Sequence, residues 1–270
     1  MLKFSLGFSP CPNDTYIFYA LTHGLIETGD ISFAQAQIYD VETLNAMALS
    51  ESLDVTKVSF YAYLKVREHY ALLKTGGAMG RSCGPLIVSK KSIAPHELKG
   101  KKIAVPGKLT TAYLLTRLFE PEISDDQIIV LPFNDIMAAV RDGTADAGVI
   151  IHECRFTYHT YGLTEVIDLG MWWEKETALP VPLGCIIAKK SLGERTISKI
   201  EQFILQSVLY AKAHPVETLN YIRSHAAEMD DKVISGHIAL YVNNYTENTG
   251  ADGAAAFDKV IDFAKNRGLL

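Results

Sequence analysis

The sequence predicts a two-lobed α/β protein of 270 residues, and three observations predict it. Apolar stretches of strand length alternate with stretches of helical spacing, the pattern of sheets covered by helices. That alternation runs twice, once over residues 3–67 and again over residues 101–152. Two segments of like composition, GPLIVSKK and PLGCIIAKK, both end in paired lysines and read as crossings between the halves. The expected division is 1–85 plus 190–270 for lobe I, with the C-terminal helices covering it, and 86–189 for lobe II. Each lobe carries a mixed sheet flanked by helices, and the ligand cleft is expected between the lobes.

In lobe I, residues 3–8 read as a first strand, and the prolines of SPCPND make an extended loop. Asn13 or Asp14 then caps a helix over 15–23. A strand at 31–38 follows, and Asp40 caps the helix VETLNAMAL, whose Val41, Leu44, Ala48 and Leu49 recur at helical spacing. DVTKVS is a short strand that passes into a helix over 60–67, so Lys57 and Ser59 fall at a second strand-to-helix junction. GGAMGRSCG lacks the order and the terminal Lys-Ser/Thr of a phosphate-binding loop and reads as a flexible turn.

In lobe II, PLIVSK and KKIAVPG are strands with a surface turn at 96–99 between them. Thr110 or Thr111 caps the helix that follows. Its first-turn amides carry the positive end of the helix dipole and suit a carboxylate. A strand spans 125–133, Asn134 or Asp135 caps IMAAVRD, and Gly143 stops that helix. The segment ADAGVIIHECRF at 145–156 then takes a continuous β-branched run, the mark of a strand covered on both faces, straight into His152, Glu153, Cys154 and Arg155. Ligand crevices in open α/β sheets lie beyond the carboxyl ends of such strands, where His152 falls. An imidazole titrates near neutrality, which favours chemistry, although a histidine closing a strand also serves packing alone. Trp172 and Trp173 either wall a pocket or pack the lobe. From Thr196 the chain is mainly helical, and His214, His225 and His237 read as surface or capping residues.

Composition narrows the function. With 48% hydrophobic and 21% charged residues the chain is an ordinary globular protein. A net charge of -5 without basic runs argues against a nucleic-acid partner. There is no apolar leader ahead of a small-residue cleavage site and no stretch of membrane-spanning length, so a cytoplasmic protein with no membrane partner is expected. The four cysteines, Cys11, Cys83, Cys154 and Cys185, show no paired spacing and read as buried thiols. His152-Glu153 begins like HExxH, but Phe156 stands where the second histidine belongs, so no zinc site is expected. The serine-hydrolase elbow, the Walker motif and GxGxxG are also missing.

Strand ends after Phe8, Val58, Val105 and Ile151 thus offer polar residues to one crevice, the layout of a two-lobed solute binder. Asn13, Glu153 and Arg155 belong to the same strand ends. An unexported chain with a histidine there favours an enzyme on such a scaffold. The segments LGFSPCPNDTYIFYAL, DVETLN, TKVSFYAY, VPGKLTTAY, GVIIHECRFTY and LPVPLG resemble the 1,4-dihydroxy-6-naphthoate synthase family of the futalosine route to menaquinone. The resemblance runs over nearly the whole chain; SPCPNDT with IIHE separates it from the related chorismate dehydratases, the alternative reading beside a non-catalytic binder of small carboxylates. It implies a periplasmic-binding-protein type II fold and a lyase acting on cyclic dehypoxanthine futalosine, an aromatic carboxylate, without metal or redox cofactor. It further implies His152 as proton acceptor, Lys57, Val58 and Ser59 as substrate-binding, and the hydroxyl and amide of Thr111 and Ala112, next to Thr110, likewise. Asn13 joins the substrate-binding set.

Overall fold

A computed structural model of the protein describes residues 2–226 and 230–270. The end of the HPVETLNYIRSHAAEM segment, expected to be helical, lies outside the described residues at 227–229. The chain forms two compact units, Met1–Gly80 with Pro182–Ala254 and Arg81–Val181 with Ala255–Leu270. The C-terminal residues therefore go with the second unit rather than wholly with the first. They pack there through an aromatic contact: Phe263 meets Trp173 edge-on at 5.5 Å between centroids, and Trp173 is fully buried.

The first unit opens with β1 (Leu2–Phe4) and β2 (Leu6–Phe8), not with one strand. Ser5 breaks the run because its amide and hydroxyl both donate to Asp54 Oδ2, at 2.9 and 2.8 Å, while its Oγ accepts from the Asp54 amide. Helix α1 (Pro12–Thr22) follows, then β3 (Ile31–Phe33) and β4 (Gln37–Ile38) where one strand was expected. Asp40 caps α2 (Val41–Leu49), accepting from the Glu42 and Thr43 amides at 3.0 and 3.1 Å. Next come β5 (Val55–Ser59), α3 (Phe60–Val66), β6 (Tyr70–Leu72) and β7 (Ala78–Gly80), the last lying inside the expected glycine-rich turn.

The second unit holds β8 (Leu86–Ser89), β9 (Ile103–Val105), α4 (Thr111–Phe119), β10 (Ile128–Val130) and α5 (Phe133–Asp142). Then come β11 (Ala147–Ile150), α6 (Cys154–Thr157), β12 (Thr164–Asp168) and α7 (Leu169–Thr177). Helix α5 starts at Phe133, ahead of the expected caps, and Gly143 ends it at a φ of 80° as its position predicts. The five strands lie in the order β10-β9-β11-β8-β12. β9, β10 and β11 are mutually parallel in their pairs, and β8 runs antiparallel to β11 and β12. Core residues such as Leu86, Ala104, Ile136, Val140 and Ile150 are buried between this sheet and its helices.

The chain then returns through β13 (Val181–Lys189) to α8 (Glu194–Ala213), α9 (Pro215–Arg223), α10 (Asp231–Tyr241), α11 (Asn244–Glu247) and α12 (Gly250–Asn266). β13 completes the first unit's six-stranded sheet, whose path is β4-β2-β5-β13-β6 with β7 also on β13. β2, β4 and β5 are parallel in their pairs and β13 is antiparallel to β5 and β6. Leu6, Phe8, Ile17, Phe18, Ile186 and Ile204 form its core. Both units are thus mixed sheets flanked by helices. Among the described residues no helix is long and apolar enough to cross a membrane.

Candidate active-site residues

Strand order locates the reactive edge of each sheet. In the first unit the chain leaves β2 toward β4 on one side, then returns through α2 to β5 on the other. The connections diverge between β2 and β5, so their carboxyl ends flank a topological switch point, where open sheets bind ligands. Residues 9–14, the start of α2 and the end of β5 all emerge there.

Side chains at that edge form one buried network. Lys57 and Ser59 project from the same face of β5, being two residues apart, and Val58 points the other way into the core. Val58 can therefore reach a ligand only through its backbone. Lys57 Nζ lies 2.5 Å from Asp14 Oδ1, with 4% of each side chain exposed. The Ser59 hydroxyl accepts from Asn45 Nδ2 at 3.1 Å and its amide donates to Asn45 Oδ1 at 2.8 Å, which leaves the hydroxyl proton to donate. Asn13 and Asp14 do not cap α1; they occupy its first turn, with Cys11 before them and no side-chain cap. A helix starting at Pro12 turns both side chains inward. Asn13 Nδ2 donates to Asp14 Oδ1 at 2.8 Å, and Asn13 Oδ1 lies 2.9 Å from His237 Nε2. Expected at the surface or at a helix cap, His237 is instead fully buried on α10.

The second unit repeats the plan. From β9 the chain goes to β10 on one side and comes back to β11 on the other, so the switch point lies between the carboxyl ends of β9 and β11. Residues 106–110 lead from β9 into α4, and residues 151–153 lead from β11 into α6. Thr110 is the cap: its Oγ1 donates to the Gly107 carbonyl at 2.7 Å and accepts from the Tyr113 amide at 3.2 Å. Both of its polar roles are internal. Thr111 and Ala112 are buried in the first turn, and among the described residues none accepts from the Ala112 amide.

His152 does not continue the strand. β11 ends at Ile150, and His152 takes a left-handed backbone at φ 55° that turns the chain into α6. Such a conformation costs a non-glycine residue about 1–2 kcal/mol and concentrates at functional sites. Its half-buried ring stands edge-on to Phe133 at 5.2 Å. Beside it, Arg155 spans the sheet edge, donating to the Gly84 carbonyl at 2.7 Å and to Asp168 Oδ2 at 2.5 Å. Asp168 Oδ1 in turn caps α7 through the Gly170 and Met171 amides at 2.8 and 3.0 Å. Glu153 is buried at the same turn. Trp173 packs the unit, its indole donating to the Pro180 carbonyl at 3.0 Å, while half-buried Trp172 meets Phe119 edge-on.

Burial pushes the Cys83 and Cys154 thiols up to about 12, and Cys185 higher still, so none is a thiolate near neutral pH. All four cysteines are free and buried. Among the described residues no group of His, Cys, Asp and Glu is arranged to hold a metal ion.

Residues 4–266 match the menaquinone biosynthesis family. The chain is 46% identical over 264 residues to 1,4-dihydroxy-6-naphthoate synthase of Thermus thermophilus, covering 98% of this chain and 94% of that protein. In shape it is similar to the crystal structure of protein AF1704 from Archaeoglobus fulgidus, with a TM-score of 0.92 at 34% identity and 99% and 98% of the two chains covered. It is also similar to a Candida albicans gene product with the generic periplasmic binding protein fold, at a TM-score of 0.72, 16% identity and coverage of 100% and 91%. The last likeness identifies the fold alone.

Proposed function

The chain belongs to the menaquinone biosynthesis family, and on that premise we propose that it forms 1,4-dihydroxy-6-naphthoate by lysis of cyclic dehypoxanthine futalosine, in the cytoplasm. The observation that carries this reading is His152: an imidazole held on strained backbone at the sheet's switch point, next to the strand that leads into α4. That combination suits a base set beside an anion-binding helix start.

In this mechanism the aromatic carboxylate of the substrate meets the first-turn amides of α4 at Thr111 and Ala112, with Thr110 holding that turn in shape. Lys57 and Ser59 donate to other substrate oxygens, Val58 adds only backbone, and Asn13 supports Lys57 from behind. Neutral His152 removes a proton. The electron pair left on carbon moves to break the bond to the sugar-derived fragment, and the new ring becomes aromatic. The fragment takes up a proton as it leaves, and aromaticity drives the step. General base catalysis of this kind is worth roughly a hundred- to ten-thousandfold.

The test is His152→Asn, which keeps a polar side chain but removes the basic nitrogen. It should bind the cyclic substrate as the parent protein does and lose about a hundredfold or more in kcat. Near-normal turnover by this variant removes His152 from the role of base.

A further inference from the structure

The network at the first unit's sheet edge has a direction, and chemistry fixes it. Asp14 spends all its acceptor positions: Oδ2 takes the Ser9 amide at 3.3 Å and hydroxyl at 2.7 Å, and Oδ1 takes Asn13 Nδ2 at 2.8 Å and Lys57 Nζ at 2.5 Å. A carboxylate paired with an ammonium only accepts, so Asn13 has to turn its NH2 toward it. The Asn13 carbonyl oxygen then faces His237, and the ring nitrogen 2.9 Å away carries the hydrogen. The chain of bonds therefore runs from His237 Nε2–H to Asn13, from Asn13 to Asp14, and meets Lys57 there. Exposure is 0% for His237, 5% for Asn13 and 3% for Asp14, so no link is loosened by solvent.

An ammonium has three donor hydrogens. Among the described residues only Asp14 accepts from Lys57, although the residue is 4% exposed. A buried cation with donors to spare at a switch point is aimed at something that accepts. We propose that His237 is a positioning residue for the Lys57 ammonium, acting through Asn13 and Asp14, and that Lys57 is thereby aimed at a substrate oxygen that carries or develops negative charge. The substrate's identity rests on the function proposed above; the positioning does not.

Two readouts keep the two claims apart. In a 15N-resolved spectrum of the intact protein, the Lys57 ammonium, assigned by its loss in Lys57→Met, should give a slowly exchanging signal. His237→Leu should shift or broaden it, and His237→Gln, which restores a donor near the Nε2 position, should bring it back. Turnover of cyclic dehypoxanthine futalosine should show KM raised about tenfold in His237→Leu, the loss expected for a bond serving a charged group, with kcat changed far less. In the Lys57→Met background the same substitution should add nothing, since the two act as one unit. Should His237→Leu fail to fold, Asn13→Ala cuts the middle link and should give the same pattern. An unchanged Lys57 signal in these variants, or losses that add to that of Lys57→Met, overturns the inference. A parent protein that makes no naphthoate defeats the proposed function, and the ammonium signal then decides the positioning alone.

Discussion

Lys57 shows what a single residue discloses before any coordinates. A lysine inside the apolar strand VTKVS is buried at 4% exposure, and a buried ammonium needs a counter-ion. That need is legible; the partner's identity, Asp14, is not, because the residues are 43 apart and only the parallel pairing of β2 with β5 brings them together. His237 was illegible for the same reason, at 224 residues from Asn13. Ser59→Ala removes a hydroxyl with a proton to give, and Thr111→Val removes one at the start of α4; each should raise KM about tenfold while kcat falls less, by steady-state kinetics with the cyclic substrate. The thiols give a second check. Cys83, Cys154 and Cys185 are buried and protonated, so a thiol reagent at pH 8 should leave them unmodified in the folded protein and label them on denaturation.

At the scale of elements, periodicity found helices and strands, and local hydrogen bonding decided their ends. Asp40 and Thr110 cap as their side-chain chemistry predicts. Asn13 and Asp14 look like equally good caps, but Pro12 begins the helix before them and the buried Lys57 claims the Asp14 carboxylate. A strand over 3–8 breaks at Ser5 because Asp54 takes its hydrogen bonds, a long-range competitor no local pattern reveals. The edge of the second sheet depends on two close backbones: a Cβ at Gly170 would come within 2.7 Å of the Gly84 Cα. Gly170→Ala should therefore cost about 1–3 kcal/mol for overpacking against backbone, read as a fall in the denaturation midpoint. Asp168→Ala removes both the α7 cap and the charge beside Arg155 and should cost about 3–5 kcal/mol, whereas Asp168→Asn retains an acceptor for the cap and should cost less.

For the molecule as a whole, the repeated strand-loop-helix plan in both halves was readable because each half obeys the same sheet logic. The allocation of the last helix was not, because it turns on Phe263 meeting Trp173 across 90 residues of sequence. Buried and hydrogen-bonded titratable groups set the pH range of stability. Burial raises the Asp54 carboxyl, but the Ser5 amide and hydroxyl and the Lys189 ammonium lower it more, so it sits below the usual carboxylate range. Its contribution is present above the unfolded value of 3.8 and is lost as pH falls through the depressed one. At the other limit, the Cys83 and Cys154 thiols rise from 9.0, and the Tyr70 phenol from 10.0, to about 12, chiefly through burial. Their contribution is complete below pH 9 and disappears as pH climbs toward 12. Urea midpoints measured from pH 2 to 12 should accordingly form a plateau that falls at both ends. The proposed function requires the chain to turn its ligand over and not merely to hold it, as its 46% identity to a naphthoate synthase suggests. Incubating the purified protein with excess cyclic dehypoxanthine futalosine and counting 1,4-dihydroxy-6-naphthoate released per chain settles this: many equivalents are expected, and substrate that binds yet is recovered unchanged rules the lyase function out.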